Sequence, residues 1–114
     1  MSNELNLSAQ NKHKIIVANW KMNGSETLLK EFSSLSQKKP NDIIICPPFT
    51  LLASAKALLP YYIKIGAQNC SEEDNGAFTG EISASMLRES HVSYVIIGHS
   101  ERRALYRETD EVIL

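Results

Sequence analysis

The sequence predicts an α/β fold with a parallel sheet, and three observations carry that prediction. Four short strand-like runs recur along the 114 residues, the first of them β-branched and apolar at consecutive rather than alternate positions. That pattern marks a strand covered on both faces. Each run is followed by a stretch with apolar residues at helical spacing, and the connections are short enough to force right-handed crossovers.

The first strand is Lys14-Ile15-Ile16-Val17-Ala18-Asn19-Trp20. Gly24-Ser25-Glu26 then supplies a turn and an N-cap, and Leu28, Leu29, Phe32 and Leu35 form one face of a helix that Lys38-Lys39-Pro40 ends. Ile43-Ile44-Ile45-Cys46 is the second strand, stopped by Pro47-Pro48 because proline cannot donate to a ladder. Thr50 to Leu59 is the second helical stretch, closed by Pro60, and Ile63 to Gln68 is the third strand. A polar loop from Asn69 to Gly80 leads to a short helix from Ser83 to Ser90, with Met86 and Leu87 as its apolar contacts. Tyr94-Val95-Ile96-Ile97 is the fourth strand, and Ser100 to Tyr106 with Asp110 to Leu114 is helical material that opens with charge. Periodicity does not separate a doubly wound sheet from a section of an eightfold barrel, since both use these units.

Composition sets outer limits. With 43% hydrophobic and 22% charged residues the chain is an ordinary globular domain, or part of one. A net charge of −1 gives no basic field for a phosphate backbone or an anionic membrane, so neither nucleic acid nor a membrane is an expected partner. Met1 to Lys14 is polar and builds no signal or spanning helix, so the expected compartment is the cytoplasm. Cys46 and Cys70 are too few and too separated for a disulfide framework or a cysteine-based zinc site, and both read as structural or incidental. A redox-active Cys70 would require a lowered pKa.

The chemically distinctive residues follow the carboxyl ends of strands, the edge where parallel α/β folds bind ligands. Asn19 and Lys21 follow the first strand, Gln68 and Asn69 the third, and Gly98-His99-Ser100-Glu101-Arg102 the fourth. Lys21 and Asn19 suit the charge and hydroxyls of a small anionic substrate, although taken alone they read as solvated surface residues. His99 sits between a strand and a helix, where the helix's amino terminus disfavours an imidazolium even at mildly acid pH. A neutral ring can donate to a carbonyl oxygen gaining charge; alone, such a histidine reads as structural.

Four segments taken together resemble triosephosphate isomerase: Asn19-Trp20-Lys21-Met22-Asn23-Gly24, Gly66-Ala67-Gln68-Asn69, Gly76-Ala77-Phe78-Thr79-Gly80-Glu81 and Gly98-His99-Ser100-Glu101-Arg102-Arg103. Each is moderately specific, but all four occur in order and on the expected strand ends or loop. The resemblance runs from about Lys14 to Leu114. It implies a truncated (β/α)8 TIM barrel of about the first four β/α units, with residues 1–13 a polar extension and 14–114 the barrel's N-terminal part. It further implies a homodimer that interconverts dihydroxyacetone phosphate and D-glyceraldehyde 3-phosphate in glycolysis and gluconeogenesis, through an enediolate and with no cofactor or metal. Pairing of a carboxylate base with a neutral histidine electrophile is this family's known chemistry.

Carried over residue by residue, Asn19 and Lys21 resemble the substrate-binding pair, His99 the electrophile, and Glu101 the carboxylate near the lysine. The loop with Phe78, Thr79 and Gly80 resembles the one that reaches into the partner subunit, and Arg102 with Glu81 the ion pair that accompanies it. Read without the resemblance, that loop is a glycine-rich turn. The family's catalytic glutamate, closing loop and phosphate-binding loops have no counterpart in these residues. The isolated chain is therefore expected to show little or no activity and to associate, as a homo-oligomer or with a complementing second-half chain. The competing expectations are a non-catalytic self-association module and a decayed remnant.

Overall fold

A computed structural model describes residues 14–34 and 42–114. The polar extension expected at 1–13, the Leu35 contact and the Lys38-Lys39-Pro40 stop lie outside the described residues. The described chain alternates as the sequence predicts: β1 (Ile15–Asn19), α1 (Glu26–Phe32), β2 (Asp42–Cys46), a 3-10 turn (Phe49–Leu51) running into α2 (Leu52–Leu58), β3 (Ile63–Ala67), α3 (Ala84–Glu89), β4 (Tyr94–Val95), α4 (Ser100–Tyr106) and α5 (Asp110–Ile113). The four strands form one parallel sheet in chain order, β1-β2-β3-β4. This is half of an eight-stranded β/α barrel.

Helix starts follow local chemistry. Ser25 Oγ accepts from the Leu28 N–H at 3.2 Å, and Ser83 Oγ accepts from the Met86 N–H at the same distance. Each hydroxyl satisfies an amide that has no partner within its own helix. Thr109 caps α5 in the same way, through Val112.

Leu29 of α1, Leu52 and Ala55 of α2, Leu87 of α3, and Ile65 and Ala67 of β3 make one buried cluster between sheet and helices. Burial of each large side chain there is worth roughly 1.5–3 kcal/mol relative to exposure. The strands alternate across the sheet, so Ile63, Ile65 and Ala67 share one face while Lys64 and Gly66 share the other. Gly66 lies where a Cβ would come 2.6 Å from Cys46 Sγ and 3.1 Å from Ile44 Cγ2. The missing side chain is what lets Ile44 and Cys46 pack to 2% and 0% exposure on that face.

The sequence reading needs correction at the two outer strands. Consecutive apolar residues in Lys14 to Trp20 predict cover on both faces, yet Ile15, Ile16 and Val17 are 61%, 49% and 49% exposed. β4 is shorter than predicted, and Tyr94, Val95 and Ile97 are likewise exposed. Each of these strands has a neighbour on one side only among the described residues. No described helix is long and apolar enough to cross a membrane.

Candidate active site

The carboxyl ends of β1 and β3 and the segment after β4 converge on a cleft of about 190 Å³. Asn19, Lys21, Gln68, Asn69, His99, Glu101 and Arg102 all line it. Seven positions that the sequence marks after three different strands thus meet in one place. A larger cleft of about 430 Å³ lies beside β4 and α5, lined by apolar residues such as Val95 and Val112 and by acidic ones such as Glu108 and Glu111. Among the described residues it has no cation in its walls, so chemistry rather than size selects the smaller cleft for an anionic ligand.

The turn after β1 is tied at several points. Trp20 N–H continues the β1–β2 pairing to Cys46 O at 3.0 Å. Asn19 Oδ1 accepts from the Lys21 N–H at 2.9 Å, and Asn23 Nδ2 donates to Trp20 O at 3.1 Å. Lys21 has φ 56, in the left-handed region. Its Nζ donates to Glu101 Oε1 at 2.7 Å, with both side chains about half exposed. Commitment of Asn19 Oδ1 to the backbone leaves its amide nitrogen as the donor end for a ligand.

Gly98, at φ 65, makes the turn that ends β4, and a Cβ there would stand 2.9 Å from Ile113 Cδ1. His99 follows as the N-cap of α4, its Nδ1 accepting from the Glu101 N–H at 3.0 Å. An accepting Nδ1 carries no proton, so the ring's proton resides on Nε2. Glu101 Oε2 lies 3.8 Å from the same Nδ1. The hydrogen bond from Lys21 holds the Glu101 carboxyl below the usual range, helped by the lysine's charge.

The other predicted residues fall outside this cleft or on its rim. Ser71 N–H bonds to Ile82 O at 2.8 Å and closes the base of the polar loop. Phe78 N–H bonds to Gly76 O and Glu81 N–H to Phe78 O, both at 2.9 Å, so the loop tip is built from its own backbone. Thr79 is exposed at that tip and does not line its own chain's cleft. Phe78, Glu81 and Arg102 share an adjoining groove of about 320 Å³ with Tyr106 and Glu108. Within the chain, Arg102 Nε donates to Glu108 Oε2 at 2.9 Å. The guanidinium also lies 4.3 Å over the Tyr106 ring. Sequence reading passes over Tyr106 and Glu108, although the four-residue spacing of Arg102 and Tyr106 on a helix is a usable signal.

Both cysteines are moved away from reactivity. Burial pushes the Cys46 thiol up to about 11, and burial with the nearby Glu81 charge raises Cys70. A redox role for Cys70 would need the opposite shift. Among the described residues, no group of three His, Cys, Asp or Glu side chains gathers to hold a metal.

Fold and site together define a chain of the β/α-barrel class, with a cationic and imidazole-bearing cleft at the carboxyl ends of its strands. Comparison makes the assignment specific: the family profile described as triosephosphate isomerase matches residues 14–114, and the chain belongs to that family. It is 50% identical over 105 residues to a triosephosphate isomerase of Alcanivorax borkumensis, an alignment covering 90% of this chain and 42% of that protein. For the triosephosphate isomerase of Halorhodospira halophila the identity is 50% over 99 residues, covering 85% and 40%. For that of Alkaliphilus metalliredigens it is 52% over 104 residues, covering 87% and 42%. The chain thus spans about two fifths of the length of the curated relatives it matches.

Proposed function

We propose that residues 14–114 supply the electrophilic and charge-binding half of a triose phosphate isomerising site in the cytoplasm, with residues 1–13 an extension to it. The observation that carries this reading is the convergence of Lys21, Glu101 and His99 on one cleft, with the lysine–carboxylate contact at 2.7 Å and the imidazole proton on Nε2. Lys21 and Asn19 bind the anionic substrate. His99 Nε2–H donates to the substrate carbonyl oxygen as negative charge develops there, which favours the enediolate over the ground state.

Glu101 is the one carboxylate lining the cleft among the described residues. Its pKa is lowered and its oxygen is bonded to Lys21, so it holds the ammonium and is a poor proton abstractor. The base therefore comes from a residue outside these 114, on the same polypeptide or on another. The 114 residues by themselves are proposed to turn over little or nothing. The pathway in this reading is glycolysis and gluconeogenesis, and the substrates are dihydroxyacetone phosphate and D-glyceraldehyde 3-phosphate.

The exposed Phe78-Thr79-Gly80 tip, with Glu81 and Arg102 in the groove beside it, supports a homodimer in which the loop enters a second subunit. Thr79→Arg should shift a dimer toward monomer in sedimentation, whereas an unchanged mass would count against that role. A second reading, a self-association module without catalysis, is favoured by the exposed apolar edges at Ile15–Val17 and Tyr94–Ile97.

A coupled assay with glyceraldehyde 3-phosphate on the purified chain, beside a His99→Ala control, tests the proposal. No turnover above the control is the expected result. Turnover that the substitution abolishes would mean that the assembled chain contains a base of its own, and the division of labour proposed here would be wrong.

A further inference from the structure

We propose that Gln68 is a positioning residue for Lys21: its carboxamide holds the lysine's backbone in the left-handed conformation and so aims the ammonium into the cleft. The consequence for substrate binding rests on the function proposed above, but the geometry does not.

Lys21, His91 and Arg107 are the described non-glycine residues with positive φ. Arg107 is the C-cap of α4, and His91 follows the C-cap of α3, Ser90. A left-handed residue is the ordinary way to close a helix. Lys21 instead follows a strand, where no helix ending accounts for its conformation, and a Cβ-bearing residue there is strained. Something outside the residue must hold it.

Both sides of that residue are held. Its N–H goes to Asn19 Oδ1 at 2.9 Å, and its carbonyl accepts from Gln68 Nε2 at 2.8 Å. The same nitrogen donates to Cys46 O at 2.9 Å. A carboxamide NH2 has two protons, and both are used on carbonyls. Those two acceptors also fix which way the amide points, since a reversed group would set three oxygens against one another.

The second carbonyl is what makes the tie effective. Cys46 is fully buried at the end of β2, paired in register with Asn19, and its carbonyl also takes the Trp20 N–H. Gln68 therefore anchors an exposed turn to a fully buried, strand-paired point of the sheet. The position demands a lysine for its charge and a glycine for its backbone. A glutamine from the third strand end reconciles the two. Without it, a half-exposed lysine would spread its ammonium over many rotamers.

The test is Gln68→Met in the full chain, close in size but without donors. By NMR, Lys21 should leave positive φ, and the Glu101 carboxyl should titrate higher, nearer the ordinary range, as Lys21 Nζ moves off; the charged Lys21 and the titratable His99 are the groups facing it. A parallel pair in a Lys21→Gly background uses the fact that glycine takes positive φ unaided. There, Gln68→Met should lower Tm by less than half of its effect in the parent chain. An unchanged Lys21 φ and Glu101 titration, with equal Tm losses in both backgrounds, would reduce Gln68 to a tie on Cys46 and overturn the proposal. If Gln68→Met alone does not fold, a folded Lys21→Gly/Gln68→Met double variant supports the proposal and an unfolded one sinks it. None of these readouts involves substrate, so failure of the isomerase reading and failure of this one are separable.

Discussion

The middle of the sheet and its two edges are written in nearly the same residues but live in different surroundings. Ile44 and Ile45 of β2 are buried, while Ile15, Ile16 and Val17 of β1, equally β-branched, are about half exposed or more. What differs is the number of neighbours: among the described residues β2 is hydrogen-bonded on both sides, β1 on one. A run of isoleucines thus specifies a strand that is able to be buried, and the adjoining elements decide whether it is. The same holds at the other edge, where Val95 is 42% exposed although its register partner Ala67 is fully buried.

The largest expected contrast is between Ile45→Ala and Ile16→Ala. The first empties a fully buried site and should cost about 2–5 kcal/mol in urea unfolding, the second under about 1 kcal/mol. Equal losses would erase the distinction between centre and edge. Next comes Gly66→Ala, whose methyl would meet Cys46 Sγ at 2.6 Å, for an expected cost of about 1–3 kcal/mol. Cys46→Ala in the same chain should return part of that loss, and failure to do so would place the strain elsewhere.

At the edge, Val17→Lys should change stability by no more than about 0.5 kcal/mol yet reduce self-association in sedimentation, because a charge on an open edge opposes strand addition. The smallest effect belongs to Lys21→Met. Glu101's folded pKa lies below its unfolded value, so its contribution is present above the unfolded carboxylate range and is lost as pH falls through the folded pKa. The variant should therefore be slightly less stable than the parent at neutral pH, and the two unfolding curves should converge in acid. A gap that widens in acid would contradict the ion pair.

Strand and helix order was legible in the sequence because each element carries its own period and its own stop, as Ser25, Ser83 and Pro47-Pro48 illustrate. The cleft was legible because its residues follow strand ends, a rule of topology that needs no side-chain geometry. Burial at β1 was not, since it depends on elements that the residues themselves do not encode. Nor was the pairing of Arg102 with Glu108, which turns on where α4 ends: Arg107 breaks it with a left-handed turn that brings Glu108 back to the guanidinium. The double bond made by Gln68 was equally hidden, because the acceptors come from Lys21 and Cys46, far away in sequence.

Strand order that equals chain order has a consequence for synthesis. Each strand pairs with the one emerging just before it, so a nascent chain leaving the ribosome amino end first meets its docking partner already extruded and never waits for a distant one. Growth can be vectorial, with the open edge travelling along the sheet like the last plank laid on a deck. The aggregation hazard at any moment is then confined to the newest strand and to β1, the plank laid first.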